Sequence, residues 1–266
     1  MSNGSSPSAG AAAPVVLITG AAARLGRAIA LGFAHRGWDV AVHYGNSEQA
    51  AEETVAQCVA AGRRSIALRA DLADEKALPS LFSRCAEYLG EPTCLVNNAS
   101  RFDYDDVEGF SYARLEALMR INLAAPIVLA RELHRRVRRA QKGARSAVVI
   151  NLLDQKLANL NPDFFSYTLC KSALEAATTM LAQALAPEVR VVGIAPGITL
   201  PSPGQSEAGF RKAHSATPLG SSSTAEDIAH AVCFLAEARA ITGTTLLVDG
   251  GQHLVASARD VMFTNP

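Results

Sequence analysis

Seven short apolar runs punctuate the chain, at Val15–Thr19, Asp39–Tyr44, Ser65–Ala70, Cys94–Asn97, Ala147–Leu152, Arg190–Ile194 and Thr245–Val248. Each is almost continuous in hydrophobic side chains, the pattern of a strand covered on both faces. Longer stretches with helical periodicity lie between them: Leu25–His35, Ser47–Ala61, Ala77–Leu89, Ala113–Arg139, Ser166–Leu185 and Ala225–Ala236. This alternation, without internal repeats, predicts an α/β fold. It is a single doubly wound, Rossmann-type domain with a seven-stranded parallel sheet flanked by helices and right-handed crossovers. Gln155–Phe165 and Thr199–Thr224 show no clear period and follow strand ends. Ligands of such sheets bind outside the carboxyl ends of the strands, so both segments are candidate substrate walls.

Composition narrows the setting. A length of 266 residues suits one domain, and 49% hydrophobic with 19% charged residues is a globular balance. Residues 1–14 are small and polar with two prolines and read as a flexible N-terminal tail, leaving 15–266 as the folded domain. The tail lacks the features of a signal peptide, and no run approaches the roughly 18–20 apolar residues of a membrane span. Basic and acidic residues balance at 25 each, so no overall field draws the chain to nucleic acid or membrane. The basic run from Arg131 to Arg145 lacks interleaved aromatics and reads as a solvated helix end. Five scattered cysteines without ligand spacing predict free thiols in a reducing, cytoplasmic setting and no metal site.

The chemistry gathers at strand ends. The first strand runs into Thr19-Gly20-Ala21-Ala22-Ala23-Arg24-Leu25-Gly26, a turn of small residues opening a helix, where backbone N–H groups can meet a pyrophosphate. The second strand ends His43-Tyr44-Gly45-Asn46-Ser47, with no acid before Glu48. A carboxylate there would grip a ribose 2′-hydroxyl and repel a 2′-phosphate, so its absence favours NADP(H). Asn46 and Ser47 are equally placed to cap the next helix. Asp71 after the third strand could serve adenine or a helix start, and Asn97-Asn98-Ala99-Ser100 closes the fourth strand. Tyr167 and Lys171, spaced i and i+4, share one helical face. A cation beside a phenol makes a rechargeable proton donor for hydride transfer to C=O or C=N.

Over about residues 14–255 the chain resembles the short-chain dehydrogenase/reductase family, through Thr19–Gly26, Asp71, Asn97–Ala99, Asn122, Tyr167–Lys171, Pro196-Gly197 and Val248-Asp249-Gly250-Gly251. The resemblance implies Tyr167 as proton donor, Lys171 on the nicotinamide ribose and lowering the tyrosine pKa, and Asn122 holding a relay water through a kinked helix. By position it implies cofactor contacts from Gly20, Arg24, Leu25, Tyr44, Asn46, Ser47, Asp71, Leu72, Asn98, Ala99, Ser100, Tyr167, Lys171, Pro196, Gly197 and Ile198. It also implies a homotetramer.

Two departures are informative. Where the family carries a serine thirteen residues before the tyrosine, this chain has Asp154, and Arg24 replaces a glycine of the turn. Together with Ser100 and Phe102, these residues resemble the pteridine reductase branch and bacterial dihydromonapterin reductases. That implies a substrate site of Arg24, Ser100, Phe102, Asp154 and Tyr167, with a flat heterocycle stacked on Phe102. The family pattern of a basic pair near Gly45-Asn46 is missing. Three readings stand: an NADPH-dependent pterin reductase, a carbonyl or 3-oxoacyl thioester reductase, and a catalytically silent nucleotide-binding regulator.

Overall fold

The computed structural model describes residues 12–201 and 205–264, so the predicted tail lies outside the described residues except for 12–14. Seven strands form one wholly parallel sheet: β1 (Val15–Ile18), β2 (Asp39–Tyr44), β3 (Ser65–Arg69), β4 (Cys94–Asn97), β5 (Ala147–Leu152), β6 (Val189–Pro196) and β7 (Thr245–Val248). Their order is β3-β2-β1-β4-β5-β6-β7, and the winding direction reverses between β1 and β4. The connecting helices are α1 (Arg24–His35), α2 (Glu48–Ala60), α3 (Leu78–Tyr88), α4 (Tyr112–Met119), α5 (Ala125–Arg139), α6 (Phe165–Ala184), α7 (Glu207–Ser215) and α8 (Ala225–Glu237), with a last turn α9 (Val261–Thr264).

Alternation within each strand feeds two cores. Val16, Ile18, Val40, Val42 and Ile150 point to the layer holding Ile29 and Phe33 of α1 and Val232 of α8. Val15, Leu17, Leu95, Val149 and Val191 point the other way, onto Phe82 of α3 and Leu129 and Leu133 of α5. This is why the strands read as continuous apolar runs: both parities are buried. A fully buried side chain of this size contributes roughly 1.5–3 kcal/mol relative to exposure. Among the described residues no helix is long and apolar enough to cross a membrane.

Two predicted elements change on folding. The single helix expected over Ala113–Arg139 is α4 and α5 joined by a π-helical turn at Arg120–Ala124. Pro126 explains the break, since it has no N–H for the carbonyl one turn back and its ring crowds that position. The segment Thr199–Thr224, expected to be irregular, contains α7, whose N-terminal cap is the Ser206 side chain accepting from Gly209 N–H. The basic run ends α5, where Arg136, Arg138 and Arg139 complement the carbonyl end; Arg131 and Arg136 pair with Glu75 and Glu91.

Buried polar side chains tie the sheet edges. Asp39, fully buried at the start of β2, accepts from Arg63 at 2.6 Å and Arg64 at 2.8 Å just before β3. Burial pushes its carboxyl up, but the two guanidiniums more than offset this and hold it below the usual range. Arg190 in β6 donates to the carbonyls of Leu235 and Ala236 at the end of α8. His43 joins three strands: its Nδ1 accepts from Gly20 N–H at 3.1 Å, so Nε2 carries the proton donated to Ala70 O at 3.2 Å. Burial drives its pKa down to about 4.

Because the folded-state pKa lies below the unfolded value near 6.5, the unfolded chain binds more protons between the two. His43 therefore costs stability as pH falls from about 6.5 to 4. Urea unfolding should show wild type losing about 2–3 kcal/mol more than His43→Gln between pH 7 and 4.5. Equal losses would show that His43 does not titrate in this window.

Candidate active site

The strand-to-helix turn after β1 lies against the end of β4 with almost no spare room. Gly20 adopts φ +63°, and a Cβ there would stand 2.9 Å from Ala99 Cα; a Cβ on Gly26 would stand 2.2 Å from Gly20 O. Thr19 Oγ1 accepts from the N–H groups of Asn98 and Ala99, and the Asn98 amide donates to the carbonyls of Thr19 and Gly20. The turn is thus held on one side by His43 and on the other by Asn98. Arg24 sits at φ +53°, a left-handed conformation suited to the glycine it replaces, and its guanidinium donates to Pro201 O at 2.8 Å.

A cleft of about 420 Å³ opens above this turn, lined by Gly20, Arg24, Leu25, Tyr44, Ser47, Asn98, Ala99 and Ser100 among others. It continues into a space of about 230 Å³ whose walls include Arg24, Ser100, Asp154, Tyr167, Lys171, Pro196 and Gly197. A third compartment of about 120 Å³ adjoins it, bounded by Phe102, Asp154, Ile198 and Asp260. The three share walls and form one groove along the carboxyl edge of the sheet, at the reversal between β1 and β4.

Some sequence-predicted residues lie off this groove's walls. Asn46 is exposed beside Ser47; Ser47 occupies the N-terminal cap of α2 but makes no cap bond with its side chain. Asp71 accepts from Ala73 N–H in its own turn, next to buried Leu72. Asn122 is buried in the π-helical turn, with both ends of its amide on the loop before it: Oδ1 accepts from Arg101 N–H and Ser100 Oγ, and Nδ2 donates to Arg101 O. It therefore holds the loop that carries Phe102. Asn97 is buried between strands, donating to Asn151.

At the centre, Tyr167 Oη donates to Asp154 Oδ2 at 2.9 Å. Asp154 Oδ1 accepts from Lys156 N–H at the start of a 3₁₀ turn, Gln155–Ala158. Lys171 Nζ donates to Leu152 O at 2.7 Å and lies 5.6 Å from the centre of the Tyr167 ring. Burial pushes the phenol well above its ordinary value, and Asp154 pushes it further. Here a carboxylate, where the family carries a serine hydroxyl, accepts the phenol's hydrogen bond. Burial likewise raises Asp154 and brings Lys171 down to about 8. The phenol is thereby kept protonated. Phe102 packs at right angles to Tyr167 at 4.7 Å and stacks on Phe164 at 4.1 Å, and it is 39% exposed.

Several site-shaping residues escaped the sequence reading. Asp105 is buried and accepts from both the N–H and the hydroxyl of Ser166, fixing the start of α6 one residue before Tyr167. Lys156, Asp163, Arg259 and Asp260 form an ionic cluster across the outer wall of the groove. Arg69 is paired in register with Tyr44 across β2 and β3, placing a basic residue at the strand end that looked bare of one. About 100 residues separate Lys156 from Asp260, so no local pattern announces their contact. Among the described residues no group of three or more His, Cys, Asp or Glu side chains is placed to hold a metal.

A doubly wound sheet with a glycine turn at its reversal and a Tyr/Lys pair beside it defines a nucleotide-dependent oxidoreductase. The family model described as Enoyl-(Acyl carrier protein) reductase matches residues 20–253, and the chain belongs to the short-chain dehydrogenase/reductase family. Pteridine reductase 1 of Leishmania tarentolae is 32% identical, with 91% of this chain and 97% of that protein covered. The 3-oxoacyl-[acyl-carrier-protein] reductase FabG of Staphylococcus aureus is 30% identical, covering 90% and 97%. Among solved structures, FolM alternative dihydrofolate reductase 1 from Brucella suis in complex with NADP superimposes with a TM-score of 0.83 at 35% identity, covering 93% of this chain and 98% of that one.

Proposed function

We propose that this chain reduces a pterin, or a closely related nitrogen heterocycle, with NADPH. The observation that carries the reading is the Tyr167–Asp154 hydrogen bond in a groove that runs from the nucleotide turn to the partly exposed Phe102. The likeness to Pteridine reductase 1 and to FolM supports it.

The residues fit a dinucleotide. A Cβ on Gly20 or Gly26 would collide with Ala99 or with Gly20 O, so glycine at both positions permits the tight turn that would present backbone N–H groups at the start of α1 as phosphate ligands. Gly20, Arg24, Leu25, Ser47, Asn98 and Ala99 would hold it at one end, with Tyr44, Asn46, Asp71 and Leu72 toward the adenine side. Ser100, Lys171, Pro196, Gly197 and Ile198 would hold the other end. When bound, the cofactor supplies a hydride. Phe102 orients a flat ring by stacking, and Arg24 and Ser100 contact its far edge. Tyr167 gives a proton to a ring nitrogen, and Asp154 and Lys171 set when that proton is available. A carboxylate at position 154 also opposes the oxyanion that a simple carbonyl would develop, which disfavours the thioester-reductase reading. Five buried free cysteines fit a reducing, cytoplasmic location.

A homotetramer fits the remaining apolar surface. A depression of about 730 Å³ lies outside the groove, along the open edge at β7, where Leu246, Leu247 and Phe234 are exposed. Leu169 and Met180 of α6 form a second exposed apolar face, and Leu254 and Val255 are exposed beyond β7. Light scattering should return about four times 27.9 kDa; a monomer would overturn this assignment.

Tyr167→Phe should cut dihydropterin turnover by roughly 10²–10⁴-fold while NADPH affinity stays within a few-fold. Asp154→Ser should depress pterin reduction and raise turnover of an acetoacetyl thioester. The check is absorbance at 340 nm with both substrates. Efficient thioester reduction by wild type, with every pterin ignored, would sink the pterin reading, and no turnover at all would favour the silent regulator.

NADPH should bind more tightly than NADH in a fluorescence titration. Arg69→Ala should narrow that gap by weakening NADPH selectively, because Arg69 is the basic residue that the sheet register brings beside Tyr44. Equal affinities in wild type would remove the NADPH assignment.

A further inference from the structure

The compartment beyond Asp154 is walled on its outer side by residues from the C-terminal end of the domain. Asp260 and Val261 line it together with Phe102, Asp154, Lys156 and Gln252. The segment is held there by charge. Lys156, only 4% exposed, donates through Nζ to Asp163 O at 2.5 Å and to Asp260 Oδ2 at 3.3 Å, and lies 5.5 Å from the centre of the Phe164 ring. Buried Asp163 accepts from Arg259 Nε at 2.8 Å and from Asp260 N–H at 2.7 Å. Phe263 packs against Tyr104 and Phe164 beneath the Arg259 guanidinium, closing the segment over the ring that backs Phe102.

One residue therefore joins two carboxylates. Lys156 gives its backbone N–H to Asp154 and its ammonium to Asp260. The ammonium's hydrogens are directed to Asp163 O, Asp260 and the Phe164 ring face, so its charge is engaged within the protein. Asp260 Oδ1 accepts from Met262 N–H and Oδ2 from Lys156, and each oxygen keeps a second lone pair. Apart from the neutral amides of Gln155, Gln205 and Gln252 and the Thr199 hydroxyl, which donates to Gly197 O, the polar side-chain groups offered to a ligand here are acceptors. A group entering this space meets Asp154 on one side and Asp260 on the other.

We propose that Asp260 is a specificity-determining residue: it and Asp154 admit a ring substituent that donates hydrogen bonds, such as a hydroxylated alkyl chain, and turn away one that carries a carboxylate. The proposal rests on the pterin reading, in which the ring lies over Phe102 and its substituent projects into this compartment. Asp154 belongs to the reacting centre; Asp260 touches only the substituent and acts on which substrate is accepted. Discrimination arises from repulsion and unmatched acceptors on the rejected ligand as much as from bonds to the accepted one.

The test uses two dihydropterins alike except that one alkyl substituent ends in hydroxyls and the other in a carboxylate. Wild type should favour the hydroxylated one by at least about tenfold in kcat/KM. Asp260→Asn should bring the two within about threefold, mainly by lowering KM for the carboxylated substrate, and Asp260→Glu should retain the preference. No preference in wild type, or a preference unchanged in Asp260→Asn, overturns the assignment. If circular dichroism shows Asp260→Asn unfolded through the unpaired Lys156, the double variant Lys156→Met/Asp260→Asn gives the same reading, and a preference persisting there overturns it. Binding of the corresponding oxidised pterins to the NADP⁺-loaded protein separates this idea from the proposed activity. Discrimination that follows Asp260 without any turnover upholds the assignment and defeats the reductase reading; turnover of both without discrimination does the reverse.

Discussion

A sheet whose strands all run the same way brings every carboxyl end to one edge, and the chemistry of this protein depends on that constraint. The glycine turn after β1, the Asn98 stretch after β4, Asp154 after β5 and Gly197 after β6 meet there without any of them being close in sequence. Reversal of the winding between β1 and β4 opens the crevice, because the crossovers on either side depart to opposite faces. Two cores, fed by alternate residues of each strand, make the edge rigid enough to hold side chains at hydrogen-bond distance.

On that edge, one substitution within the family pattern reorganises the electrostatics. With aspartate at 154, the phenol of Tyr167 bonds a carboxylate; burial raises the pKa of both groups, and Asp154 adds to the shift of the phenol. Lys171 sits close enough to be stabilised by Asp154, while burial lowers its pKa to about 8. Donor, acceptor and cation form a coupled set in which no member titrates alone. Such a set keeps a phenolic proton beside the groove, bonded to Asp154.

Positioning of this set relies on buried polar groups bonded within the protein. Asp105 anchors the first turn of α6, Asn122 anchors the loop before Phe102, and His43 anchors the glycine turn. Each is buried with its hydrogen-bonding capacity engaged, the condition under which a polar side chain fixes geometry without a large desolvation cost. Asn122 shows how a motif residue can be recognised while its local work is not: its place in the pattern says nothing of the Arg101 backbone it grips.

Strand number, parallel direction and the order of the motifs were legible in the chain because they depend on local pattern: continuous apolar runs, helical periods and turns of small residues. Asp154, Phe102 and Arg24 also stood out, because each occupies a position at a set distance from a motif. Other features were beyond reach of any local rule. α7 draws on a cap inside a stretch without clear period. Arg69 lies beside Tyr44 only through strand register, and Lys156 meets Asp260 only because the C-terminal end of the chain folds back over the loop after β5. Local sequence sets which way each residue faces along its own element. Which charges then meet across elements is decided by burial of the whole chain, where a lysine withdrawn from water must find carboxylate and carbonyl partners wherever the fold brings them.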